Sequence, residues 1–305
     1  IDRALCIAYL LCRIADTVED EPALDEARRG VLYDRFLTAV DRPDDSTLVA
    51  PFLAAWPDMK FSEAGYGELV RGCEHVLAIY RELPDPLVGP IRQCVHDMVA
   101  GMRTVRPVET RDGVAFYCRD LTDLDAYCHI VAGTVGIMST ALFEWRVEQS
   151  RDAGLVSFQP NDRWRENGRR LGLGLQMTNI IKDCRVDAER GVSFIPSSHV
   201  EIIAGAYTIG PQAKFALLGH AVGHLDAGLS YTMAIPAGET GIRRFLLGSL
   251  LPAIATLQVA ASGTSHQPKI DRAKMLEILG LITEEQATDE RIRQWYEENK
   301  KSFGL

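Results

Sequence analysis

Along nearly the whole chain apolar residues return every three or four positions, while runs that alternate apolar with polar residues between turn signals are almost absent. A repeat of that period is what helices packed on one face leave in a sequence, so the expected fold class is all-α. Helices are predicted over about 2–20, 24–41, 62–82, 87–106, 121–148, 162–187, 211–235, 240–262, 270–280 and 284–299, with Pro43, Pro84, Pro86, Pro160 and Pro196 in the breaks between them. No linker or charge block divides the 305 residues, and one domain, 1–305, is expected.

Residues 4–15 and 130–138 are apolar nearly all the way round, as in helices of an interior. Gly133, Gly136, Gly168, Gly172 and Gly174 each weaken a helix by ~1 kcal/mol relative to Ala, which marks close backbone packing. The expected architecture is a single helix bundle ringed by outer helices, with an apolar cavity at its centre.

The charge balance of 33 Lys and Arg against 42 Asp and Glu, net −9, disfavours a nucleic-acid partner held by phosphate neutralisation. Seven cysteines, odd in number and without a C-x-x-C pair, read as reduced thiols of a core, in keeping with a cytoplasmic protein. The nearest approach to a membrane span, Phe245 to Ala261, is interrupted by Ser249, Pro252, Thr256 and Gln258 and reads as a buried helix. The chain opens at Ile1 inside a helical pattern with no capping residue, so a preceding segment is expected.

Against this apolar background, Tyr9, Arg13, Asp16 and Asp20 stand at intervals of four, three and four, on one face of the first helix. Gln176, Asn179, Asp183 and Asp187 make a second such stripe at intervals of three, four and four. Paired carboxylates on a buried face need a compensating cation, because desolvation and mutual repulsion act together. Oxygen donors without neighbouring His or Cys match Mg²⁺, which completes its shell with water and substrate phosphates. Stripes facing each other across a cavity would hold Mg²⁺ ions against a diphosphate. The plainer reading of either pair is a solvated helix face.

The motifs carrying these stripes resemble those of the squalene/phytoene synthase family, the head-to-head prenyl transferases. Asp16-Thr-Val-Glu-Asp20, with Arg13 a turn earlier, is similar to the family's first aspartate-rich motif. The stretch from Tyr127 to Gly136 resembles its tyrosine helix, and Gln176 to Gly191 its second aspartate-rich motif. In wording these are closer to squalene synthases than to plant-type phytoene synthases, although Val186 stands where squalene synthases usually have Glu and Lys182 where many have Arg.

The resemblance implies a class I isoprenoid synthase fold that joins two farnesyl diphosphates through presqualene diphosphate, with NADPH reducing the last cation to squalene. Products short of reduction, namely dehydrosqualene, presqualene diphosphate or a phytoene-type hydrocarbon, are the alternative. It implies Mg²⁺ on Asp16, Glu19, Asp20, Asp183 and Asp187, and diphosphate contacts from Arg13, Lys182, Gln176 and Asn179. Tyr127 is the candidate for proton removal, Phe245 for the hydrocarbon tunnel, and Lys269 and Arg272 for the phosphates of NADPH. Release of so oily a product implies transient membrane contact; the oligomeric state stays open.

Each role has a plainer rival: a core Tyr, amides bridging helices, a core Phe and solvated surface cations. Gly172-Leu-Gly174 lacks the third glycine and the preceding strand of a dinucleotide fingerprint. His96-Asp97 raises a metal phosphohydrolase, but His75, His129, His220 and His224 form no convincing ligand set in the sequence. A non-catalytic helical scaffold explains the bundle and leaves the charged stripes without a cause.

Overall fold

The computed structural model describes residues 1–154, 158–203, 205–263, 267–283, 288–301 and 303, and it divides into two compact units, 1–104 with 138–149 and 105–137 with 150–305.

In the first unit, α1 (Asp2–Asp20) packs against α2 (Glu26–Asp41), α4 (Ala64–Arg71), α5 (Cys73–Tyr80) and α6 (Asp85–Met102), with the short α3 (Val49–Ala55) against α2. Ile7, Leu11, Ile14 and Val18 from α1 meet a core of Leu32, Phe36, Phe52, Tyr80, Ile91 and Val95. Each such side chain contributes ~1.5–3 kcal/mol on removal from water. Asp25 starts α2 by accepting the Arg28 N–H at 2.8 Å, an ordinary N-cap.

The all-round apolar reading of the first helix needs correction. Arg3, Cys6 and Tyr9 are exposed, and Tyr9 keeps 65% of its surface. Cys6 and Tyr9 look apolar in composition but stand on the polar face, so α1 is one-sided. The helix predicted over 62–82 is also two, broken at Gly72, whose N–H closes α4 on the Glu68 carbonyl at 2.9 Å while its own carbonyl opens α5.

The second unit begins with strands the periodicity did not reveal. A hairpin of β1 (Glu109–Arg111) and β2 (Val114–Phe116) turns through Asp112 and Gly113, both at positive φ, and β2 pairs in parallel with β3 (Val192–Ser193). A second hairpin joins β4 (Glu201–Ile203) to β5 (Ala206–Thr208). The helix predicted over 121–148 is α7 (Leu121–Cys128), a π turn at His129–Gly133, and α8 (Thr134–Asp152), of which Met138–Gln149 belongs to the first unit.

α9 (Asp162–Glu189) is capped by Asn161 on the Trp164 N–H at 2.9 Å and packs along α10 (Pro211–Ala234), α11 (Thr240–Ser262), α7 and the π turn. α12 (Arg272–Thr283) and α13 (Asp289–Lys301) follow; residues 284–287 of the predicted last helix lie outside the described residues. By length and composition alone, Leu121–Asp152 and α11 could cross a membrane, with mean hydropathies of 1.5 and 1.7. α11 buries Leu250, Leu251, Ile254 and Leu257, and its buried Arg243 pairs with Asp289, as expected of a core helix.

Glycines set how closely α9 can be approached. A Cβ at Gly172 would lie 2.3 Å from the Ala132 carbonyl oxygen in the π turn, and one at Gly136 would lie 2.5 Å from the Gly168 carbonyl oxygen. Both obstacles are backbone, which cannot swing aside. Gly172→Ala is therefore expected to destabilise the protein by ~1–3 kcal/mol or more, read from the denaturant midpoint; an unchanged midpoint would contradict this packing.

Candidate functional site

On α1, Arg13 stands between the two aspartates of its face, its Nη1 3.6 Å from Asp16 Oδ2 and 3.8 Å from Asp20 Oδ2. Tyr66 from α4 covers this group. Its hydroxyl accepts from Arg13 Nη2 at 2.5 Å and donates to Asp20 Oδ2 at 3.3 Å, and its ring lies 4.9 Å beneath the guanidinium. Tyr66 is held by the preceding turn, where buried Glu21 accepts from the Ser62 N–H at 3.0 Å and hydroxyl at 2.9 Å.

Asp16 is half-buried, and burial, with repulsion from Asp20, pushes its pKa up to about 7 against the opposing pull of Arg13. Burial and then Asp20 also raise Glu19, and burial raises Asp20. A carboxylate set made of oxygen donors alone, and resisting ionisation even beside Arg13, fits a hard divalent ion such as Mg²⁺.

In the second unit, α9 brings Gln176, Asn179, Asp183 and Asp187 onto one side of a cavity of about 250 Å³, completed by Tyr127, Ile180, Val186, Arg190, Phe194 and Gln267. Lys182 Nζ lies 3.2 Å from both Asp183 Oδ2 and Asn179 Oδ1, and Gln267 Nε2 donates to Asp183 Oδ1 at 2.7 Å. Burial and the neighbouring Asp183 raise the pKa of Asp187, with Arg190 and Lys182 opposing. The Tyr127 ring stacks on Phe194 at 4.5 Å, and Phe194 stacks in turn on Tyr117 at 5.0 Å. The donor chemistry is again carboxylate and amide oxygen, the set that suits Mg²⁺.

The structure thus places Tyr127, Gln176, Asn179, Asp183 and Asp187 around one cavity with Lys182 at its ladder, and Arg13, Asp16, Glu19 and Asp20 together on α1. Phe245 is 52% exposed on α11. Lys269 and Arg272 are exposed at and just before the start of α12. Two exposed cations can contact phosphate but do not by themselves make a pocket for a nicotinamide ring.

Sequence reasoning missed Tyr66, Phe194 and Gln267, whose distance along the chain from their partners leaves no periodic signal. It also missed a histidine set, and the expectation of none is corrected here: Asp125 Oδ1 meets His220 Nε2 at 2.8 Å and His224 Nε2 at 3.2 Å. Burial lowers the pKa of His224 despite Asp125. The His96-Asp97 pair is no dyad, since His96 Nε2 contacts Asp41 Oδ1 at 2.8 Å and Asp97 accepts from Gln93.

With this geometry in view, the family model described as squalene/phytoene synthase matches residues 1–275. The squalene synthase of Rattus norvegicus is 28% identical over 201 residues, 64% of this chain and 40% of that protein. A 15-cis-phytoene synthase of Synechocystis is 33% identical over 111 residues, 36% of this chain and 30% of that protein. The match to the rat enzyme spans about two-fifths of its length. Among solved structures, TcSQS in complex with a ligand gives a TM-score of 0.73 at 23% identity, covering 98% of this chain and 82% of that one. The squalene synthase HpnC from Alicyclobacillus acidocaldarius gives 0.52 at 17% identity, covering 88% and 84%. The fold is that of the class I isoprenoid synthases.

The raised pKa of Asp16 fixes a sign. The folded chain keeps a proton that the unfolded chain has lost, from the ordinary carboxylate value up to about 7, so stability falls as pH rises through that window. Without divalent ions, the thermal midpoint of the wild type is expected to drop more steeply than that of Asp16→Asn between about pH 5 and about pH 8. Added Mg²⁺ should restore the wild type most at the alkaline end. Parallel profiles for the two proteins would refute the burial of Asp16.

Proposed function

Because the chain belongs to the squalene/phytoene synthase family, we propose that it condenses two farnesyl diphosphates head to head through presqualene diphosphate and, with NADPH, yields squalene. The observation that carries this reading is the pair of oxygen-donor ladders, each touched by its own cation: Arg13 on α1 and Lys182 on α9. Residues 1–305 are read as one catalytic domain.

Mg²⁺ held by Asp16, Glu19, Asp20, Asp183 and Asp187 would supply Lewis acidity at the diphosphate oxygens and weaken the allylic C–O bond. Arg13 and Lys182 take up phosphate charge. The amides of Gln176 and Asn179 donate to phosphate oxygens or to bound water from the same side of the cavity. The Tyr127 oxygen would relay the proton whose loss closes the cyclopropane to the departing pyrophosphate, the stronger base, and the stack on Phe194 holds its ring in place. Phe245 offers a π face to the hydrocarbon. Lys269 and Arg272 are the proposed contacts for the phosphates of NADPH.

A second reading stops short of reduction, at dehydrosqualene, presqualene diphosphate or a phytoene-type product. It is supported by the presence of a phytoene synthase among the relatives the chain resembles. In either reading the enzyme works in the cytoplasm and touches a membrane transiently to release its product.

Incubation with farnesyl diphosphate and Mg²⁺, with and without NADPH, separates the readings by the lipid formed. Squalene only with NADPH supports the first; a hydrocarbon or diphosphate indifferent to NADPH supports the second; no pyrophosphate release overturns both. Asp16→Asn and Asp183→Asn should each lower turnover by ~100-fold or more, a loss of the size seen when one preorganised electrostatic group is removed, with the fold retained by circular dichroism. Near-normal turnover in either variant would remove that ladder from the mechanism.

A further inference from the structure

Outside both ladders, α7 and α10 bring together three side chains of a different donor chemistry. His220 and His224 stand one turn apart on α10, so they share a face. Asp125 reaches them from α7, its Oδ1 2.8 Å from His220 Nε2 and 3.2 Å from His224 Nε2. One ligand atom from each residue lies within 4.8 Å of the other two. Donors around a tetrahedral Zn²⁺, with bonds of ~2.0–2.1 Å, sit roughly 3.3 Å apart. The two carboxylate–imidazole spacings lie just under that value. The rings are perpendicular, with centroids 5.0 Å apart, so their Nε2 atoms converge on the carboxylate without stacking.

We propose that Asp125, His220 and His224 form a second metal site, selective for Zn²⁺ or a similar late first-row divalent ion over Mg²⁺. Imidazole nitrogen favours such ions, whereas the oxygen-only ladders favour harder ones, so the chain sorts two metals by ligand type. His224 is buried, Asp125 and His220 are partly open, and three protein ligands leave a fourth position for water. The site ties α7, which carries Tyr127, to α10 at residues 95 and 99 positions apart in the chain.

Arg170 limits its affinity. Its Nε donates to His224 Nδ1 at 3.3 Å while its Nη2 donates to the Gly223 carbonyl at 2.7 Å. In the metal-free form Nδ1 is therefore the acceptor, and Nε2 carries the proton shared with Asp125. To bind an ion, His220 and His224 each shift the proton through solvent from Nε2 to Nδ1, so that both rings stay neutral and both Nε2 lone pairs are freed; at His224 the long Arg170 contact is lost and the shorter one can persist. The nearby guanidinium also repels the ion, so Arg170→Gln should tighten binding.

The test uses untagged, chelator-treated protein in excess Mg²⁺, titrated with Zn²⁺ against a chromophoric chelator. One Zn²⁺ should bind the wild type, with affinity at least about ten-fold weaker in His220→Ala, about the size expected when a metal-orienting partner is removed, and stronger in Arg170→Gln. Binding should persist in Asp16→Asn/Asp183→Asn, and bound Co²⁺ should absorb in the visible without a thiolate charge-transfer band. His220 is half-open, so its variant keeps the test sound if His224→Ala fails to fold. Equal Zn²⁺ binding by wild type and His220→Ala, or none by either, overturns the proposal. No part of this depends on which isoprenoid product is made, because the readout is metal binding alone.

Discussion

The second unit depends on how closely the backbone of the π turn can approach α9. Where Gly172 meets the Ala132 carbonyl oxygen, no side chain fits. A helix that accepts another backbone at that range fixes both in rotation as well as in distance, since any turn of α9 would drive Leu171 or Leu173, both buried, into the contact. Fixing the rotation of α9 fixes the direction of every residue at a helical interval from Gly172. Gln176, Asn179, Asp183 and Asp187 consequently reach one cavity with Tyr127, which lies just before the same π turn. The glycines weaken the helix locally, and that weakness is tolerated because the approach they permit positions the acidic ladder.

How the acidic residues are kept near one another without a bound ion is a separate electrostatic matter. On α1 the burden is shared: Arg13 sits within 4 Å of both aspartates, Tyr66 bridges it to Asp20, and Asp16 keeps a raised affinity for its proton. On α9, Lys182 and Gln267 each take one oxygen of Asp183, while Asp187 is left with the charges of Arg190 and Lys182 to oppose its burial. The two solutions differ in residue type but not in logic. Each supplies a movable cation and a neutral hydrogen-bonding partner.

Both ladders were legible in the sequence, because intervals of three and four encode a helix face whatever the helix packs against. The all-α class was legible for the same reason. What stayed hidden depends on residues far apart in the chain or on short-range turn chemistry that a periodicity search passes over. Asp112-Gly113 carries the signal of a tight hairpin, but strands of three residues are too short to alternate visibly. The one-sidedness of α1 was hidden because Cys6 counts as apolar wherever it points and because Tyr9, although part of the polar stripe, also extends the apolar run. His220 and His224 were set aside as forming no ligand set and Asp125 was unremarked; only the meeting of α7 with α10 makes the three a set. Gln267 touches Asp183 across 84 positions of sequence, a contact no local pattern could encode.

The pairing of each ladder with its own cation bears on how a diphosphate would enter. An anion arriving alone would meet carboxylates and be repelled; metal ions arriving alone would meet Arg13 and Lys182 and be partly repelled as well. Metal and diphosphate together remove both objections, because the metal replaces the cation at the carboxylates and the freed cation turns to the phosphate oxygens. Net charge at each ladder then changes little on binding, although every partner is exchanged. The flexible stems of Arg13 and Lys182 suit that exchange better than a rigid backbone donor would, since the charged head can shift by a few ångströms while the helix stays in place. The internal ion pairs therefore need not compete with the proposed chemistry; they would keep the ladders folded until an ion and a diphosphate arrived as a unit.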